Sequence, residues 1–362
     1  VDTFGFRDRI SFRTEVVRVV AAERGGYHVT TRATESREEC TAHHAAVLVA
    51  NGHHWDPRWP EPPFPGADGF AGEQMHSHHY KTPDVLVDRR VLVVGIGNSA
   101  TDIAVESSRH AAATFLAMRR GAWILPKYMF GRPTDETNTP GLTRLPLPVQ
   151  RWVMAASLRV SQGRMRDFGL PDPDHKLLEA HPTLSSDLLL RVGHGDVVVK
   201  PNIARFAGDR RVRFVDGSEE EIDLVVYCTG YKISFPFFDP GLISAPDNEI
   251  PLYRRVVSPE HAGLYFIGLL QPLGPIMPLA EAQSEWVADL IEGKTSLPAK
   301  AEMERVVAHE RERMAKRYVA SKRHTIQVDF EPYLRAVARE RRNGGILHRR
   351  RRHVHELKLD TA

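Results

Sequence analysis

The chain has 362 residues, a formal net charge of +3, 42% hydrophobic residues and 26% charged residues. That balance describes a globular protein of about two domains and excludes both a disordered chain and one that binds nucleic acid through bulk charge. Its two cysteines, Cys40 and Cys228, form no CxxC pair, which excludes a dithiol redox site and a zinc knuckle.

No apolar run reaches the roughly 18 residues of a membrane helix, and no secretory leader is visible, so a reducing, cytoplasmic setting is expected. Residues 10–32 alternate apolar and polar around Arg24-Gly25-Gly26 and predict a β-hairpin. The run AAVLVANG predicts a buried strand ending at Gly52, and the Pro-rich stretch 56–66 predicts a connecting segment. Next, VLVVGIGNSATDIAVE (91–106) predicts a strand, a tight turn and a helix, and TFLAMRR (114–120) predicts a second strand. Residues 130–148 read as loop and 148–162 as a helix whose apolar face, with Trp152 and Met154, is expected to pack, the alternative being contact with a membrane or substrate. The segment 212–231 predicts a hairpin about Asp216-Gly217 and a closing strand ending at Thr229-Gly230. Residues 263–291 predict a buried strand, a Gly/Pro loop and an amphipathic helix. A charged helix is expected over 301–322, and the arginines 349–352 read as part of a solvated basic tail, the alternative being a contact with an acidic surface.

A weak repeat is visible. Twice, a hairpin leads into an apolar strand ending in glycine: VLVANG and VVYCTG. A strand–turn–helix unit stands upstream of the second and none stands upstream of the first. The chain is therefore expected to open inside its first domain.

The turn at 95–100 has the pattern G-x-G-x-x-A. Gly95 permits the tight turn, Gly97 lets the backbone approach a pyrophosphate, and Ala100 lets the helix pack on the sheet. The first-turn amides of Ser99, Ala100, Thr101 and Asp102, with Asn98 beside them, are expected to face the phosphates, helped by the helix dipole. An acidic residue at the end of the next strand would take a ribose 2′-hydroxyl; the chain has Arg119 and Arg120 there. Guanidinium pairs with phosphate, so NADP(H) rather than NAD is expected; the alternative is two solvated surface arginines.

Histidine pairs at His43-His44, His53-His54 and His78-His79, the last near His76, read as loop and surface residues, and no metal site is expected. Cys228 reads as a small core residue.

Upstream of the turn stands FAGEQMHSHHYKTP, which fits Phe70-x-Gly72-x-x-x-His76-x-x-x-Tyr80. This resembles the FxGxxxHxxx(Y/F) fingerprint of flavin-containing monooxygenases; Tyr80, where Baeyer–Villiger relatives usually carry Trp, favours the amine- and sulfide-oxygenating branch. FRTEVVRV, GIGNSATDIAVE, RRGAWILPK, VVYCTGYKISFPFF and RHTIQVDFEPY also resemble members of that family. The resemblance implies an α/β chain of two Rossmann-like dinucleotide-binding domains, for FAD and NADP, with the FAD domain lacking its first βαβ unit. The implied division is 1–65 and 237–335 for the FAD domain, 66–85 for a linker carrying the fingerprint, 86–236 for the NADP domain and 336–362 for a basic tail. Gly72 is expected to relieve a bend in that linker, and His76 to couple the domains by bonding backbone on either side.

The resemblance places the backbone of Val16 near adenine, and Gln271, Leu273 and the helix after Pro278 near the flavin ring. It implies hydride transfer from NADPH to FAD, reaction with O2 to a C4a-hydroperoxyflavin, and oxygen transfer to an amine nitrogen or sulfide sulfur of a small molecule. No catalytic residue can be named, because the family's active-site asparagine lies in a part this chain lacks. The truncated chain is accordingly expected to be weakly active or inactive. A Baeyer–Villiger oxygenase and a non-catalytic NADP-binding fragment stay open, as does a homodimer.

Overall fold

The computed structural model describes residues 1–129, 131–134, 145–272, 274–317 and 325–359, with side chains through 345. It divides into two compact units. One is built on Val1–His53, Ile233–Lys316 and the residues from Thr325 on; the other is built on His54–Lys232.

The first unit opens with an antiparallel meander: β1 (Thr14–Ala21), β2 (Tyr27–Ala33) and β3 (Glu39–His44). The hairpin turns where Arg24-Gly25-Gly26 is expected to turn it, and the β1–β2 register slips between Val16 and Arg18, a bulge. A short strand β4 (Val47–Val49) follows.

The second unit starts with β5 (Asp56–Pro57), then β6 (Glu73–His76), β7 (Arg90–Val94), α1 (Asn98–His110) and β8 (Ala113–Ala117). Small pieces follow: β9 (Ile124–Leu125), β10 (Tyr128–Met129) and β11 (Arg132–Pro133). Most of the stretch 130–148, read as loop, lies outside the described residues; its end already belongs to α2 (Leu147–Gln162). Then come β12 (Thr183–Leu184), α3 (Leu188–Gly193), β13 (Val198–Lys200), a meander β14 (Ile203–Phe206), β15 (Arg211–Phe214) and β16 (Glu219–Glu221), and finally β17 (Leu224–Tyr227) and β18 (Tyr231–Lys232).

Five of these strands form one parallel sheet in the order β13-β8-β7-β17-β6. Its central strands are continuous apolar runs because both faces are covered. Val91 and Val93 of β7 and Leu224 and Val226 of β17 pack with Ala100, Ile103 and Ala104 of α1. The alternate residues Leu92, Val94, Val225 and Tyr227 pack with Ile203, Val212 and Phe214 of the meander. The β6 strand is a difference from expectation. The segment expected to link two domains pairs with β17 from Glu73↔Leu224 to His76↔Tyr227 and supplies the sheet's edge.

Back in the first unit, β19 (Leu264–Phe266) pairs in parallel with β4, and β20 (Gln271–Pro272) with β21 (Gln327–Val328). Three helices complete it: α4 (Met277–Ile291), α5 (Lys300–Arg317) and α6 (Phe330–Leu359). The reading of a tail from 336 is corrected here. Residues 336–345 continue a helix whose Val337 is fully buried with Trp286 and Tyr333, because its apolar stripe packs into this unit's core. Arg254, paired with Glu310 of α5 and with Glu340 of α6 at 2.9 Å, joins both helices to its own loop.

Candidate nucleotide site

The turn between β7 and α1 lies where the strand order reverses: β8 and β13 extend to one side of β7, β17 and β6 to the other. Open α/β sheets receive ligands at that crevice, beyond the carboxyl ends of the strands. Gly95 has φ of +130°, and a Cβ there would stand 2.7 Å from the Cys228 carbonyl oxygen. Its N–H donates to Ala117 O at 2.9 Å, tying the turn to the end of β8. Gly97 has an ordinary φ of −82° and stands at the helix N-cap, with no side chain to close the first turn.

Because α1 begins at Asn98, the first-turn amides left without helical acceptors are those of Asn98, Ser99 and Ala100. This revises the expectation for two residues. The Thr101 N–H bonds to Gly97 O at 3.0 Å, and that of Asp102 falls in the regular helical ladder. The Thr101 side chain is buried and its hydroxyl bonds to Asn98 O at 2.9 Å. Asp102 is exposed, 3.6 Å from the Lys127 ammonium, in a polar depression of about 250 Å³ shared with Glu106 and Arg109. Ala100 is fully buried against the sheet.

Sequence reasoning missed the brace on this turn. Thr183 donates its hydroxyl proton to Ile96 O at 2.7 Å, and the Leu184 N–H bonds to Asn98 Oδ1 at 2.9 Å. Nothing local to either segment signals the pairing.

Arg119 and Arg120 leave the end of β8 at the same edge of the sheet as Gly95. Arg119 is exposed and Arg120 half-buried. Gly121 follows in a parallel bridge with Pro173.

The fingerprint residues lie along β6 and the segments on either side of it. Phe70 is buried against Phe206, ring centroids 4.8 Å apart. Gly72 does not relieve a bend: its φ is not in the left-handed region, and the need is for space, since a Cβ would lie 2.6 Å from the Phe70 ring and 2.9 Å from Asp223 O. His76 is fully buried at the end of β6, with Trp59 and Tyr231 rings 5.8 and 5.3 Å away. Its Nδ1 accepts the His78 N–H at 3.1 Å, and burial lowers its pKa to about 4. Tyr80 donates to Glu106 Oε2 at 2.6 Å; burial and that carboxylate raise its pKa. Beside the turn, burial pushes the Cys228 thiol up to about 12, so it is no thiolate near neutral pH.

A model of the flavin-binding monooxygenase-like family matches residues 1–342. The chain belongs to that family. Flavin-containing monooxygenase 5 of Oryctolagus cuniculus is 37% identical over 92% of this chain and 64% of its own length. Dimethylaniline monooxygenase [N-oxide-forming] 2 of the same animal is 34% identical over 91% of this chain and 63% of its own. Among solved structures, S-allyl-L-cysteine S-oxygenase from Allium sativum superposes with a TM-score of 0.66 at 27% identity, covering 94% of this chain and 63% of that one. This flavin-binding monooxygenase-like chain thus spans a little under two thirds of the length of the relatives it matches.

The positions expected near the flavin fall in the unit that holds the meander and α4. Val16 is partly exposed on β1, at the bulge. Gln271 is half-buried, its N–H on Ile326 O at 2.8 Å. Leu273 lies outside the described residues. Gln327, which sequence reasoning did not single out, pairs in register with Gln271; its side chain is fully buried, and among the described residues neither amide atom has a hydrogen-bond partner. No helix among the described residues is long and apolar enough to cross a membrane.

Proposed function

We propose that this chain carries the nicotinamide-coenzyme site of an NADPH- and FAD-dependent oxygenase acting on small molecules with a soft nucleophilic atom, an amine nitrogen or a sulfide sulfur. The observation that carries the reading is the turn at Gly95–Ala100: three open amides at a helix N-terminus, on the strand-order reversal, with no side chain at Gly95 or Gly97 in the way. A dinucleotide pyrophosphate matches that donor set. Arg119 and Arg120, at the end of the next strand, are the groups for an adenosine 2′-phosphate.

For the flavin, Val16, Gln271 and Gln327 are the groups that would hold it. The unmet hydrogen-bonding capacity of the Gln327 carboxamide supports a polar ring edge arriving there, since a buried amide without partners costs roughly 1–3 kcal/mol. Bound, the nicotinamide supplies hydride and the flavin supplies oxygen activation. The chain's own residues bind, orient and exclude water. His76, neutral through the physiological range, acts in this reading as a positioning group at the end of β6 rather than as a proton carrier.

Titration of the purified chain with NADP⁺ and NAD⁺ tests the proposal. At least tenfold tighter binding of NADP⁺ is expected, and equal affinity for the two would overturn it. Turnover with a sulfide and a ketone, flavin supplied, separates the branches: Tyr80 favours sulfoxide over ester.

A further inference from the structure

The brace on the nucleotide turn grips one particular atom. Ile96 stands between the two glycines, and its carbonyl oxygen accepts the Thr183 hydroxyl proton at 2.7 Å. The Ile96–Gly97 peptide is trans, since the cis bond among the described residues is Glu61-Pro62. In a trans peptide the C=O and the N–H point to opposite sides. With the Ile96 oxygen turned to Thr183, the Gly97 N–H is turned away from β12, and it has no acceptor among the described residues. It adds a fourth open donor to those of Asn98, Ser99 and Ala100.

The grip comes from a fixed strand. Thr183 is buried, and its N–H bonds to Trp123 O while the Ser185 N–H bonds to Leu125 O, each at 2.9 Å, which pins β12 along β9. Between them, the Leu184 N–H takes Asn98 Oδ1 and anchors the first residue of α1 from the same strand. Gly97 has no side chain to restrain the peptide that precedes it. Left unheld, that peptide can turn over and present its carbonyl oxygen, a partial negative charge, where a phosphate would lie.

We propose that Thr183 is a positioning residue of the coenzyme site: its hydroxyl locks the Ile96–Gly97 peptide with the N–H toward the pyrophosphate and the carbonyl away from it. The proposal rests on the reading of the turn as a pyrophosphate site. Thr183 acts through the peptide rather than by touching coenzyme, and the pyrophosphate is common to NADP(H) and NAD(H). The lock therefore sets affinity and leaves coenzyme choice to Arg119 and Arg120.

The test compares the full chain as wild type, Thr183→Val, Thr183→Ala and Thr183→Ser. Each is titrated calorimetrically with NADP⁺, NAD⁺ and adenosine 2′-monophosphate, which carries the 2′-phosphate but no pyrophosphate. Valine keeps the shape of threonine and removes the hydroxyl; alanine removes it without bulk. A peptide in the competent orientation for only about a tenth to a third of the time weakens apparent binding by roughly three- to tenfold. That loss is expected for NADP⁺ and NAD⁺ alike in the valine and alanine variants, with their ratio and the affinity for the 2′-monophosphate unchanged. Thr183→Ser, which restores the hydroxyl, is expected to bind as wild type does. Wild-type affinity for both coenzymes in the valine and alanine variants overturns the proposal alone. So does a loss that extends to the 2′-monophosphate or to folding itself, or one that serine does not repair, since each marks a merely structural role. A wild-type chain that binds neither dinucleotide would instead remove the pyrophosphate site, and the proposal with it.

Discussion

At the scale of single residues, His76 shows how burial turns a titratable group into a fixed one. Its ring has no exposed surface and its Nδ1 accepts a backbone N–H, which requires the neutral form. Its folded pKa of about 4 lies below the ordinary 6.5, so the unfolded chain takes up the proton first. Stability is therefore full above about 6.5 and falls as pH drops toward about 4, by about 3 kcal/mol in all. Urea melts of wild type and His76→Gln between those limits check this. The expected result is a smaller loss of stability on acidification in the variant, and parallel curves would contradict it. The residue's type and spacing were legible in the sequence; its charge state was not, because that depends on Trp59, Tyr231 and the strand that buries it.

At the scale of elements, the β7–turn–α1 unit is the part most directly written in the chain. Four apolar residues, a glycine turn and a 3.6-period apolar stripe each have a local physical cause, and all three appear at the expected positions. Gly95→Ala tests how strictly the turn is specified. The methyl group meets Cys228 O across the sheet, and φ of +130° is strained for any residue with a Cβ. We expect a loss of about 1–3 kcal/mol in urea melts and at least tenfold weaker NADP⁺ binding. A variant with wild-type stability and affinity would show that the turn tolerates a side chain and that its geometry is not the basis of binding. The fingerprint segment was harder to read. Its short, mixed-polarity run EQMH lacks the apolar continuity of β7, so nothing local marks it as a strand; its pairing with β17 is what makes it one.

At the scale of the whole molecule, the chain is two compact units rather than one, and a ligand of the proposed class should report on the unit that binds it. At a hundredfold excess over Kd, NADP⁺ contributes about 2.7 kcal/mol to the state that binds it. Hydrogen exchange with saturating NADP⁺ is expected to slow most at amides within 91–120, where β7, α1 and β8 surround the turn. No slowing in that window would remove the nucleotide site from this unit.

What the sequence determined by itself is whatever neighbouring residues settle among themselves: the apolar strands, the glycine turn, the helix it opens, the hairpins, and the family. What only the tertiary structure decided is whatever depends on a partner far along the chain. The brace from Thr183 and Leu184 reaches the turn across 87 and 86 residues. The fingerprint becomes a sheet edge only through β17, and residues 336–345 become part of a packed helix only against α4. Local propensity and periodicity act over a few residues, whereas burial and charge act through space, and the fold alone sets which distant groups share it.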